Sequence, residues 1–98
     1  MAVSREIEIE AEPEDVWEAL IDEDRRAAWL DEPDREIWIE EACEPERLVW
    51  RWSEGAEPPT RVEIAIEPCP GGSRVVVTES LPTFPLPALA ACLSPVRA

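Results

Sequence analysis

The sequence predicts an α+β domain: a curved antiparallel sheet of about five strands, two short helices after the first strand, and a short proline-broken helix near the C-terminal end. Three observations predict it. Residues 47–80 read as three consecutive strands, with Leu48, Trp50 and Trp52 alternating with Val49 and Arg51, and Val62, Ile64 and Ile66 alternating with Arg61, Glu63, Ala65 and Glu67. Helix-start chemistry follows the first strand at Glu12-Pro13-Glu14-Asp15, and an apolar, Pro-rich segment follows Ser80. Alternation of period two puts one apolar set on one face of a sheet, so the Trp50/Trp52 face needs a cover.

Taken in order, residues 3–11 form a half-buried strand, with Val3, Arg5, Ile7, Ile9 and Ala11 on one face and Ser4, Glu6, Glu8 and Glu10 on the other. Arg5 interrupts the inner face and reads as a cation at a frayed strand end, the alternative being one pointing into a cavity to hold a carboxylate. A helix from Pro13 to about Asp22 carries Val16, Trp17, Leu20 and Ile21 on one stripe, which makes Trp17 a core residue. Asp22-Glu23-Asp24 caps a second short helix through Leu30, whose apolar part is Ala27, Ala28, Trp29 and Leu30. These clustered acids lack the spacing and the Gly of a calcium loop, so capping is their use.

Pro33 ends that region, and residues 36–42 form another strand with Ile37 and Ile39 on one face and Trp38 on the other. Residues 43–47 are a tight connection, residues 53–60 a Gly/Pro loop, and Gly71-Gly72 supplies the positive φ of a hairpin. The polar face is expected to carry Arg51, Arg61 and Arg74 among Glu36, Glu40, Glu63 and Glu79, paired across strands. Pro87 starts a short helix through about Leu93, ended by Ser94-Pro95, and Phe84, Leu86, Leu89 and Leu93 lie across the sheet as a partial lid; a homodimer contact is the competing use of that segment.

At 98 residues the chain is one domain, 1–98, with residues 1–80 as core and 81–98 as strap and terminal helix. Its formal charge of −14, from 23 acids against 9 cations, argues against nucleic acid and against an anionic membrane surface. Every cation is Arg, and the chain contains no Lys, His, Tyr, Asn or Gln, which removes the usual neutral-pH base and the Schiff-base amine. Cys43, Cys69 and Cys92 make no C-x-x-C pair and, without His, a poor metal site; they read as free thiols in a reducing cytoplasm, and no signal peptide or membrane span is expected.

The order of elements, and the strings at residues 7–22 (IEIEAEPEDVWEALID), 27–30 (AAWL), 45–52 (PERLVWRW) and 59–80 (PTRVEIAIEPCPGGSRVVVTES), resemble the START-like superfamily, also called helix-grip or polyketide cyclase-like. The nearest likeness is to small bacterial proteins similar to the C-terminal domain of the activator of Hsp90 ATPase, over residues 3–80. The resemblance implies a cavity between sheet and C-terminal helix. This chain departs from the family pattern in having few residues between the second helix and the Leu48 strand, and a short terminal helix, so the implied cavity is reduced. The expected function is non-catalytic binding of a small hydrophobic ligand by Trp29, Trp50, Trp52, Ile64, Phe84 and Leu89, with no cofactor and no metal. The alternatives are a protein-interaction module, chaperone-linked or homodimeric, and a cyclase- or hydrolase-type enzyme.

Overall fold

The computed structural model describes residues 2–30, 35–55, 58–80 and 83–93. Its elements run β1 (Val3–Ile9), α1 (Pro13–Ile21), α2 (Glu23–Trp29), β2 (Arg35–Cys43), β3 (Arg47–Glu54), β4 (Thr60–Cys69), β5 (Gly72–Glu79) and α3 (Leu86–Leu93). The strands form one five-stranded sheet in the order β1-β5-β4-β3-β2, antiparallel at every pairing. The α+β expectation and its element order are therefore observed. The expected helix stop at Pro33, and the one at Ser94-Pro95, fall outside the described residues.

Local chemistry accounts for the elements. Proline opens α1, with Glu14 and Asp15 in its first turn, where the helix dipole favours acids. The Asp22 carboxylate caps α2 by accepting from the backbone N–H of Asp24 at 2.9 Å and of Arg25 at 3.1 Å. The β4–β5 hairpin turns through Gly71 at φ 89°. Gly72 is needed for a different reason: a Cβ there would lie 2.0 Å from the carbonyl oxygen of Ile9, so the end of β1 passes directly over it. The Glu44–Pro45 peptide bond in the β2–β3 turn is cis.

The helices share one face of the sheet. α1 packs against β4 and β5, and α3 packs against α1, α2 and β1. Leu48, Trp50, Trp52, Val62, Ile64, Ile66, Val75 and Val77 point into this layer with Val16, Trp17, Leu20, Trp29, Phe84, Leu86 and Leu89. Trp17 is buried, as its helical spacing requires, whereas Ala27 and Ala28 are exposed and only Trp29 of the expected apolar group of α2 is buried.

The outer face is an ion-pair lattice. Arg51 and Arg61 stand opposite each other in the β3–β4 register, and Glu40 reaches both, at 2.7 and 3.9 Å. Arg61 also pairs with Glu63, Arg47 reaches Glu41 and Glu63, and Arg74 reaches Glu6, Glu8 and Glu67. Each exposed pair adds little to stability, about 0–1 kcal/mol, but Glu40 between them offsets the like charges that face each other at Arg51 and Arg61. Glu79 does not belong to this lattice. It shares the inner parity of Val75 and Val77 and is 2% exposed, a correction to its expected place on the polar face.

β2 is an edge strand, and the register shifts between Ile39 and Glu41. Trp38, on the outer face opposite Arg51, is 46% exposed, and Ile39, opposite Trp50, is 43% exposed. Ile37 packs on the core as expected, but Ile39 does not share its burial.

Candidate functional site

The inner face of β3 presents Trp50 and Trp52, two residues apart and therefore on the same side of the pleat. Their ring centroids are 5.5 Å apart. Phe84, from the segment that follows β5, reaches both indoles, at 5.7 Å from Trp50 and 6.0 Å from Trp52. Trp29, at the end of α2, closes the group at 5.5 Å from Phe84. The structure thus brings four of the six expected site residues into one aromatic cluster, and places Ile64 and Leu89 in the same continuous core. All six are buried. Three of the surface concavities lie on the outer face of the sheet, where Ile64 contributes beside Arg47 and Glu63, at the β4–β5 hairpin, and outside α1 and α2 around Glu14, Trp17 and Glu18.

The cover over this face differs from the expected lid in one respect. α3 itself leans on β1, α1 and α2, and Phe84, just ahead of it, is what reaches the β3 indoles. The segment carrying Phe84 is fastened by a polar clasp. The buried Glu79 carboxylate accepts from Arg5 Nη2 at 2.6 Å, from the backbone N–H of Thr83 at 2.9 Å and from that of Phe84 at 3.1 Å, with the Thr83 hydroxyl at 3.3 Å. Arg5 Nη2 also donates to the Phe84 carbonyl at 2.8 Å. Arg5 is therefore no frayed end; it is the inward cation holding a carboxylate. Among the described residues, the polar ties of Thr83 and Phe84 to the sheet all run through these two side chains.

Two further cations flank the rings. The Arg35 guanidinium lies 3.8 Å from the Trp52 ring centroid and that of Arg26 5.9 Å from Trp50. Arg26 is also tied back, donating to the Leu20 carbonyl at 3.0 Å. The indoles differ in their nitrogens. Trp29 Nε1 donates to the Ala19 carbonyl at 2.8 Å, whereas Trp50 Nε1 and Trp52 Nε1 are buried and meet no acceptor among the described residues. Sequence reasoning found the aromatic residues but missed Glu79, Arg26 and Arg35. Strict alternation from Val75 through Val77 would have placed Glu79 inward, and the i, i+3 spacing of Arg26 and Trp29 would have put that arginine near the rings.

No protein-family model matches the chain, and no curated relative matches it. Solved structures do match. CalU16 from Micromonospora echinospora superposes with a TM-score of 0.76 at 18% identity, over 96% of this chain and 76% of its own. The protein has a START-like, helix-grip fold. Aha1 from Colwellia psychrerythraea, solved as a dimer in solution, shares this START-like fold with a TM-score of 0.70 at 17% identity, over 90% of this chain and 83% of its own. DynU16, from the dynemicin biosynthetic locus, matches 92% of this chain with 40% of its own length, at a TM-score of 0.70 and 24% identity. The likeness in fold to Aha1 agrees with the resemblance expected from the sequence.

Among the described residues no His, Cys, Asp and Glu group could hold a metal ion, and no helix is long and apolar enough to cross a membrane. Cys43, Cys69 and Cys92 are free thiols away from the aromatic cluster.

Proposed function

We propose that this START-like domain is a non-catalytic binding protein for a small hydrophobic ligand, which takes the place Phe84 fills between the inner face of β3 and the 83–93 segment. The observation that carries this reading is the way Phe84 is held. An aromatic side chain from a segment outside the sheet stacks into a nest of three Trp rings, and its backbone is tied to the sheet by the Arg5–Glu79 clasp. Releasing one clasp exposes an apolar, aromatic-lined face of the kind small-molecule sites use. Sharing a fold with CalU16 and with DynU16 of a biosynthetic locus fits a small-molecule ligand.

Chemistry favours binding over turnover. The chain has no His and no Lys. Glu79 is the one buried carboxylate among the described residues, and its oxygens are already engaged by Arg5, Thr83 and Phe84. The free thiols fit a reducing cytoplasm. The test is a titration of the intact protein against a panel of hydrophobic small molecules, read by Trp emission and by calorimetry. Saturable binding with a change in Trp emission is expected, and silence of both signals across the panel overturns the reading.

A second reading, self-association, is favoured by the exposed Trp38 and Ile39 on edge strand β2 and by the dimeric state of the Aha1 neighbour. The C-terminal segment is less suited to that role, because Phe84, Leu86 and Leu89 are already buried against the chain's own core. Sedimentation of the wild type against a Trp38→Thr/Ile39→Thr variant decides it: a monomeric wild type removes the reading.

A further inference from the structure

The sheet ends at β2, whose sheet neighbour is β3 alone. An edge strand carries a row of backbone N–H and C=O groups with no strand to meet, and folded proteins usually blunt such a row with Lys, Pro, a bulge or a very short strand. β2 is nine residues long and contains neither Lys nor Pro. Its register shift lies between Ile39 and Glu41, so the run from Arg35 to Ile39 stays regular. On the opposite edge, α3 packs against β1. Val3, Trp38 and Ile39 are the large apolar side chains exposed among the described residues, and two of these three stand side by side on β2. An unmet backbone row beside exposed apolar residues is a template for another strand.

Charge selects what can pair with it. Residues 35–46 hold five acids and a single cation, Arg35, whose guanidinium lies over the Trp52 ring. Arg51 reaches Glu40 and Arg47 reaches Glu41, but Glu36 has no cation partner among the described residues. Along the regular run, Glu36 and Trp38 take the outer face, while Ile37 and Ile39 take the inner one, opposite Trp52 and Trp50. A strand laid beside β2 alternates in the same way and sets its side chains about 5 Å from these. Cations on its outer face meet the Glu36 carboxylate and the Trp38 ring, and branched apolar residues on its inner face cover Ile37 and Ile39. A second copy of this chain is a poorer occupant, because it brings the same acid row and another net charge of −14.

We propose that β2 is a docking strand for an extended segment of a partner protein, in which Arg or Lys alternates with Val or Ile. Backbone hydrogen bonds along Arg35 to Ile39 supply affinity, over roughly 17 Å of strand. The alternation sets which face each side chain takes, and the carboxylates turn away acidic strands. Docking at this edge requires no ligand among the Trp rings, so either can fail without the other.

The experiment uses three acetylated peptides of about eight residues on the intact protein: alternating Arg-Val, a block of Arg followed by a block of Val, and alternating Glu-Val. Affinity is read by calorimetry and location by amide hydrogen exchange. The alternating Arg-Val peptide is expected to bind one-to-one, about tenfold or more tightly than the block peptide of the same composition, with no measurable binding of Glu-Val. Protection should rise within residues 35–39 and not in β1. Glu36→Lys and Ile39→Lys, both at exposed positions, should each weaken binding about fivefold or more, with urea midpoints confirming that the fold is retained. Equal affinity for the alternating and block peptides, protection gained elsewhere than β2, or unchanged affinity in both variants reduces binding to bulk charge attraction and overturns the proposal. Absence of binding by all three peptides overturns it as well. Sedimentation of the wild type as a dimer that becomes monomeric in Ile39→Lys puts a second copy on this edge and replaces the cationic partner.

Discussion

Replacing Arg5 by Met tests whether the clasp holds the 83–93 segment. Met keeps the length of the arginine stem and removes the guanidinium. Glu79 would then remain 2% exposed, with the backbone N–H groups of Thr83 and Phe84 as its donors and no counter-charge. Breaking a buried pair by removing one partner costs about 3–5 kcal/mol. The side chain of Arg5 is 31% exposed, so water screens part of the interaction, and about 2–3 kcal/mol is the reasoned loss. Glu79→Gln should cost less, about 1–2 kcal/mol, because the amide oxygen can still accept from the two backbone groups and no charge is stranded. Urea unfolding gives both values. Amide hydrogen exchange gives the local effect: the N–H groups of Thr83 and Phe84 should lose protection in Arg5→Met well before the centre of β4 does. A loss under about 0.5 kcal/mol in Arg5→Met, or unchanged protection of those two amides, would refute the clasp as the fastening of this segment.

Further outcomes follow from the same geometry. Phe84→Ala empties a 1%-exposed ring position and should lower stability by about 3–4 kcal/mol, with benzene or indole in the buffer raising Tm again; no rescue by either aromatic counts against a ligand-sized seat. Gly72→Ala should cost at least about 2 kcal/mol by thermal unfolding, because its Cβ would meet Ile9 O at 2.0 Å and Ala11 N at 2.9 Å, all backbone. Gly71→Ala, with open space around its Cβ and only a positive φ to accommodate, should cost about 1 kcal/mol. Trp29→Phe should lose about 1–2 kcal/mol beyond its packing change, since the Ala19 carbonyl is left unpaired, and a double-mutant comparison with Trp50→Phe would show that excess at position 29 alone.

The strands, the helices and their order could be read from the chain because each obeys a local rule. Alternation marks β3 and β4, and Pro13 and Asp22 mark the starts of α1 and α2. Parity also identified the Trp50/Trp52 face, but parity says which side a residue takes and nothing of what will cover it. That is why the sequence marked this face and could not show that Phe84, ahead of α3, would be the group stacked there. Ile39 keeps the face that parity assigns it, opposite Trp50 as Ile37 is opposite Trp52, but on an edge strand that face is 43% exposed there. Glu79 was misjudged because its charge was allowed to outweigh its parity, and a buried acid is reasonable only once its partner is known. That partner, Arg5, lies 74 residues away in the chain.

The strand order also bears on how the chain closes. β2, β3, β4 and β5 are successive neighbours in the sheet, so their pairings can each form by closing a short loop. β1 joins beside β5 instead, pairing Val3 with Glu79 and Ile9 with Ser73, residues far apart in the chain. Contacts of such separation bear the largest loop-closure cost and set the pace of folding in domains of this size. Arg5 arrives with β1, and Phe84 lies just beyond β5. The aromatic seat and its fastening are therefore completed by the slowest, most distant pairing in the molecule, and a weakened β1 edge would open the seat before it disturbed the meander beneath.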